Sequence, residues 1–242
     1  MSENKITNNQ FPIPEDMIEK LRPIRNKQII TASKVSLENE VNLSSLHGVL
    51  GLNISYSPKG DVGCVAAVLV NFQTLQVLKQ HHLFYQPEIE YIPTFLGYRE
   101  APAYQKIIKY FHDESVELII LNGNGILHPY RYGLATQMGY ETDIPSLGIT
   151  KTLLLGKYDP PLKKLGYSKI FVEDEILGVA YQSMNSPAKP IYVSQGYKIN
   201  LQTMVGVLRE FFVRQQHQSK YPTPLHLATR LSRDKMDQEN NK

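Results

Sequence analysis

Apolar and polar positions change period several times along the chain. From Glu15 to about Leu37, Met17, Ile18, Leu21, Ile24, Ile29 and Ile30 recur at loose helical spacing, and Pro23 predicts a break or kink in that helix. Residues 48–57, GVLGLNISYS, alternate, with Val49, Gly51, Asn53 and Ser55 on one side and Leu50, Leu52, Ile54 and Tyr56 on the other. Residues 63–72, GCVAAVLVNF, are almost continuously apolar, which suits a central strand. Residues 75–85, LQVLKQHHLFY, alternate again. The short turns SPKGD and NFQT separate these segments and predict an antiparallel meander.

Beyond Tyr91 the pattern becomes one of helices and short buried strands. YIPTFLGYREAPAYQKIIKYFHD predicts a loop leading into a helix with Ala103, Ile107, Ile108 and Phe111 on one face. VELIILNG is a wholly apolar strand of the kind buried on both faces of a parallel sheet. A second helix follows over RYGLATQMGYE, then a strand over IPSLGIT, a hairpin over KIFVEDEILGVAYQS turning near Glu173–Glu175, and a strand over IYVSQG. INLQTMVGVLREFFVRQQHQ is the clearest helix, with Leu201, Met204, Val205, Leu208 and Phe212 at helical spacing. The expectation is an α/β fold, a mixed sheet of antiparallel meander then parallel strands flanked by helices.

Composition narrows the class. With 42% hydrophobic and 20% charged residues in 242, the chain is globular, which excludes wholesale disorder. Lys and Arg number 26 against 23 Asp and Glu, a net charge of +3 that permits nucleic-acid contact without demanding it. Cys64 is the single cysteine, so no internal disulfide forms, and a reducing, cytoplasmic compartment is expected. The longest apolar run, Cys64 to Val70, is too short for a bilayer, and the polar start MSENKITNNQ shows no signal peptide. Residues 1–12 and the polar tail 232–242 are expected to be disordered, leaving a single domain over 13–231.

Two clusters carry candidate chemistry. LNGNGILHPYRYGLA, Leu121 to Ala135, delivers Asn, Gly, His and Pro at the carboxyl end of a buried strand, where open α/β sheets bind ligands. A tight strand–helix turn with a capping Asn accounts for it equally well. YIPTFLGYRE, Tyr91 to Glu100, combines a rigid Ile-Pro segment with an aromatic able to stack on or wedge between bases, or else to pack in its own loop.

YIPxFLxxRE, then xGxGxxHPxRxGLA after a buried strand, then IPSLGITK, SQGYKINLQT and YPTPLHLA together resemble endonuclease V, a family that cuts DNA or RNA near deoxyinosine or inosine. The resemblance runs from about Val49 to Ala228 and implies a ribonuclease-H-like fold. It also implies a magnesium site built from a first-strand Asp, the Glu of the RE motif, an Asp before GxG and a late Asp or His. Here Asn53, Asn122 and Thr229 stand at three of those positions, and Glu100 alone is kept. Magnesium is a hard cation held through carboxylates, and amides are neutral, weaker ligands. His128 and Lys151 match positions implied to lie near the scissile phosphate. A wedge of Tyr91, Ile92 and Pro93 is followed by Thr94 where the family resembles Gly. Leu96, Gly123, Leu134 and Gly148 match positions implied to surround a flipped hypoxanthine, and Arg131 matches a phosphate contact.

Three roles follow from the sequence. The first is a pseudo-nuclease that binds DNA or RNA, inosine-containing strands included, with little or no cleavage and no cofactor. The second is an active endonuclease V using Mg or Mn, weak as the sequence stands and full if Asn53 and Asn122 are engineered replacements. The third is a protein-interaction scaffold.

Overall fold

The computed structural model describes residues 13, 15–184 and 188–241. The segment 1–12, expected to be disordered, lies outside the described residues. An 18-residue helix α1 (Glu15–Ala32) runs through Pro23 without ending there. The meander follows as β1 (Gly48–Tyr56), β2 (Gly63–Asn71) and β3 (Val77–Tyr85), paired antiparallel in sequence order. Then come α2 (Leu96–Ile108), β4 (Leu118–Asn122), α3 (Leu134–Thr142) and β5 (Ser146–Thr150). β6 (Tyr167–Val172), β7 (Glu175–Tyr181), β8 (Ile191–Tyr197), α4 (Leu201–Arg214) and α5 (Thr223–Asn240) complete the order.

All eight strands join one sheet, ordered β3-β2-β1-β4-β5-β8-β7-β6. β4 lies parallel to β1 and to β5, while β8, β7 and β6 continue antiparallel. The alternation in β1 sorts its two faces. Leu50 and Leu52 join Ile119 and Leu121 of β4 against Ala103, Tyr104 and Ile107 of α2 and Met138 of α3. Val49, Leu118 and Ile120 face Met204, Leu208 and Phe211 of α4 and Leu225 of α5. At Gly51 a Cβ would stand 2.1 Å from the Pro224 carbonyl oxygen, so only glycine lets α5 lie directly on β1.

The expectation of a disordered tail over 232–242 does not hold, because α5 continues to Asn240. Leu225, Ala228, Ser232 and Met236 are all buried and fall on one helical stripe, with charged residues turned outward. That stripe is thin, one small or apolar residue per turn, which is why the segment looks polar in sequence. Among the described residues no helix is long and apolar enough to cross a membrane.

Candidate nucleic-acid interface

Asn53 and Asn122 sit one residue beyond the paired Leu52 and Leu121, on the same face of adjacent parallel strands. They open into a cleft of about 490 Å³ that Glu100, Tyr91, Lys151 and Tyr221 also line. Asn122 Nδ2 donates to Asn53 Oδ1 at 3.1 Å, and Asn53 Nδ2 donates to Ser232 Oγ of α5 at 2.9 Å. The Ser232 hydroxyl gives its one proton to the Thr229 carbonyl at 3.1 Å, so Ser55 is the donor in its 2.8 Å contact with Ser232 Oγ. The Tyr221 hydroxyl donates to Asn122 Oδ1 at 3.4 Å. Both amides are thereby oriented and their oxygens already accept.

Glu100 lies in the second turn of α2, and Arg99 beside it ties the helix to the meander. Arg99 donates to the Tyr56 hydroxyl at 3.2 Å and to the carbonyls of Ile89 and Gly60. Glu100 is buried, accepting from Tyr56 at 3.1 Å and Tyr104 at 3.5 Å. Burial pushes its carboxyl up to about 7, against the lowering effect of those hydroxyls and of Arg99.

These residues do not fit a magnesium ion. One carboxylate faces two neutral amides whose oxygens already take N–H and O–H donors. Among the described residues, no group of three His, Cys, Asp or Glu could hold a metal. Thr229 is not among the residues that line the cleft, and its hydroxyl bonds back to the Leu225 carbonyl at 2.8 Å. Ser232, one turn further along α5, is the residue that meets Asn53.

The Tyr91–Leu96 segment forms the rim. Tyr91 is 63% exposed, whereas Ile92 is buried against Leu21 of α1 and Phe95. Pro93 holds the turn into Thr94, which is buried with φ +70°, a left-handed conformation suited to Gly and strained for a β-branched residue. A smaller recess of about 60 Å³ shares Tyr91, Leu96 and Asn124 with the cleft and is closed by Thr94, Leu134 and His128. Gly123 lines the larger cleft, and the packing around it is tight: a Cβ at Gly148 would stand 2.1 Å from the Gly123 carbonyl oxygen, and one at Gly123 would stand 3.0 Å from the Leu134 side chain.

His128 lines the smaller recess. Its Nδ1 accepts from the Tyr130 amide at 3.2 Å, so Nε2 carries the proton and donates to the Thr94 carbonyl at 3.1 Å. Burial holds its pKa down to about 3, and a neutral imidazole with both nitrogens engaged moves no proton at neutral pH. Arg131 stands apart from the residues that line the cleft. It pairs with Glu175 at 2.7 Å and lines a separate hollow beside Ile176. Lys151 does stand in the cleft, exposed, with Nζ 4.8 Å from the centre of the Tyr221 ring. Ser232, Tyr221, Tyr56 and Tyr104 were not singled out from sequence. Only Tyr221 carried a signal there, as the first residue of YPTPLHLA.

An antiparallel meander continued by two parallel strands, with helices on both faces and a polar cleft at the carboxyl ends of β1 and β4, defines a ribonuclease-H-like protein. Within that class the chain belongs to the endonuclease V family, whose profile matches residues 30–230. It is 32% identical over 217 residues to endonuclease V of Thermofilum pendens, covering 89% of this chain and 88% of that one. The crystal structure of endonuclease V from Bacillus subtilis superposes with a TM-score of 0.82 at 21% identity, covering 96% of this chain and 97% of that one. Endonuclease V from Ciona intestinalis, solved with a 24mer DNA containing an inosine followed by a ribo-adenosine, gives 0.79 at 20% identity, covering 91% and 98%.

Proposed function

We propose that this chain is a nucleic-acid reader built on the endonuclease V fold, which holds a DNA or RNA strand in the cleft and cuts it little or not at all. The observation that supports the reading is the hydrogen-bonded chain Tyr221–Asn122–Asn53–Ser232, neutral groups that bond to one another where the family resemblance implies a carboxylate metal site. Lys151 supplies a cation for a backbone phosphate and exposed Tyr91 a face for stacking. The recess beside Tyr91 is the pocket for a base taken out of the stack, and the inosine-containing DNA held by the Ciona relative makes hypoxanthine the base to try first. No divalent cation takes part in this binding.

The test follows binding and cleavage of inosine-containing single-stranded RNA and DNA, with inosine-free strands alongside, in magnesium, in manganese and in EDTA. The expected result is binding that is indifferent to EDTA, with intact strands in both metals. Metal-dependent cleavage by the unaltered chain would overturn the reading and make it an active endonuclease V. Failure to bind any strand would leave the cleft vestigial and point to protein partners.

A further inference from the structure

Three apolar side chains of α1 join a cluster apart from the two main cores. Leu21, with Met17 and Ile24, packs against Ile92, Phe95 and Tyr98. The polar contacts of the helix converge on the same place. Arg25 Nη2 donates to Thr94 Oγ1 at 2.9 Å, Gln28 Nε2 donates to the Thr94 carbonyl at 2.9 Å, and Tyr98 donates to the Ile24 carbonyl at 3.3 Å. His128, from the loop after β4, takes the second position on the Thr94 carbonyl. The Arg25 guanidinium lies 4.2 Å from the centre of the Phe95 ring and 3.8 Å from that of Tyr130. A threonine at φ +70° persists only where its surroundings over-determine it, and here three side chains from two elements grip one residue.

We propose that α1 is a clamp on the rim segment, in which Arg25 is the positioning residue. Through Thr94 it fixes where Tyr91 stands at the mouth of the cleft. The proposal deepens the reader function above and rests on it for its consequence in binding, but the clamp itself can be measured without any ligand. Arg25 serves through geometry more than charge, since its planar fork reaches Thr94 while its face lies against two rings, an arrangement an ammonium group cannot reproduce. Thr94 serves through its hydroxyl, the acceptor that a glycine would lack.

The experiment compares Arg25→Ala, Arg25→Lys, Thr94→Val and Thr94→Ser in the full chain by amide hydrogen exchange and by affinity for inosine-containing and inosine-free strands. The Phe95 amide, bonded to the Ile92 carbonyl at 3.0 Å, reports on the rim, and that of Ile120 in central β4 reports on the fold as a whole. Arg25→Ala, Arg25→Lys and Thr94→Val should speed exchange at Phe95 at least tenfold with Ile120 unchanged, and Thr94→Ser, which keeps the acceptor, should not. The preference for the inosine strand should fall about tenfold in the first three variants and survive in the last. Unchanged exchange at Phe95 in Arg25→Ala overturns the clamp, whatever the strands do. Faster exchange with an unaltered inosine preference overturns its role in binding. Faster exchange in a protein that binds no strand upholds the clamp and sinks the reader function, and faster exchange in one that binds strands without favouring inosine upholds the clamp and overturns its part in inosine preference.

Discussion

The Asn122 amide donates to the Asn53 carbonyl oxygen across two parallel strands at 3.1 Å. Two carboxylates in the same places would lose the donor that joins them and would repel across that gap, a repulsion that a cation would relieve. Two amides need none. The difference of one atom per side chain removes two negative charges from the place where the family resemblance implies a metal.

Restoring the acids should therefore restore those charges. In Asn53→Asp/Asn122→Asp, like charges about 4 Å apart oppose folding by up to about 4 kcal/mol at an effective dielectric near 20. The double variant is expected to unfold at lower urea in EDTA at pH 8 and to recover most of the loss in millimolar magnesium, while the unaltered chain shows no magnesium effect. Equal urea midpoints with and without magnesium in the double variant would contradict this account of the site.

Glu100 predicts a pH dependence of definite sign. Its carboxyl titrates near 4.5 when unfolded and at about 7 in the fold, so the folded chain holds the proton more tightly. The stability this proton contributes is fully present below pH 4.5 and lost as pH rises through about 7. The gap corresponds to about 3 kcal/mol for the buried group. Glu100→Gln keeps an acceptor for Tyr56 and never ionises. Urea unfolding of both proteins at pH 5 and pH 8 should show the variant gaining on the parent by roughly that amount at the higher pH. A constant difference between the two curves would remove burial of Glu100 as the cause.

Ser232 should matter to stability although it faces no solvent and belongs to no apolar cluster. Ser232→Ala leaves the Asn53 amide and the Ser55 hydroxyl without their acceptor in a buried setting, at a cost of about 1 to 3 kcal/mol. Thr229→Ala, whose hydroxyl only serves its own helix, should fall within about 0.5 kcal/mol of the parent. Thermal melts of the two variants separate them.

Tyr91 and Lys151 should fail in different ways. Losing one stacked ring removes about 1 to 3 kcal/mol, so Tyr91→Ala should weaken binding roughly 5- to 150-fold with the salt dependence intact. Lys151→Ala should weaken all strands alike and lower the slope of log affinity against log salt by about 0.7 for a single strand. Fluorescence anisotropy titrations at three salt concentrations distinguish the two, and an unchanged slope for Lys151→Ala would take it off the phosphate path.

Much of this was legible in the chain. The alternation of Leu50, Leu52 and Ile54 with Val49, Asn53 and Ser55 assigns the faces of β1, and the apolar run before Asn122 places β4 in the middle of the sheet. The ordered motifs then put Asn53, Glu100 and Asn122 in one cleft, where the structure has them. What sequence could not give were partners chosen by folding. Arg131 finds Glu175 44 residues later, His128 turns its ring to a carbonyl of the rim, and Thr94 takes a left-handed backbone that a β-branched residue does not announce. The last turns of α5 were missed because their stripe of Ala228, Ser232 and Met236 is too sparse to register as a buried face. His217 and His226, isolated in sequence, stack at 4.2 Å because the eight residues between them turn the chain back on itself.

The distance along the chain between Asn53 and Ser232, 179 residues, also sets an order of events during synthesis. At about 5 to 20 residues per second, β1 is made roughly 10 to 35 s before the helix that caps its polar centre and covers Val68 and Val70 of the neighbouring strand. A nascent chain that stops short of α5 thus displays a bare amide and a bare valine face together, the kind of surface by which chaperones and proteases tell unfinished proteins from finished ones.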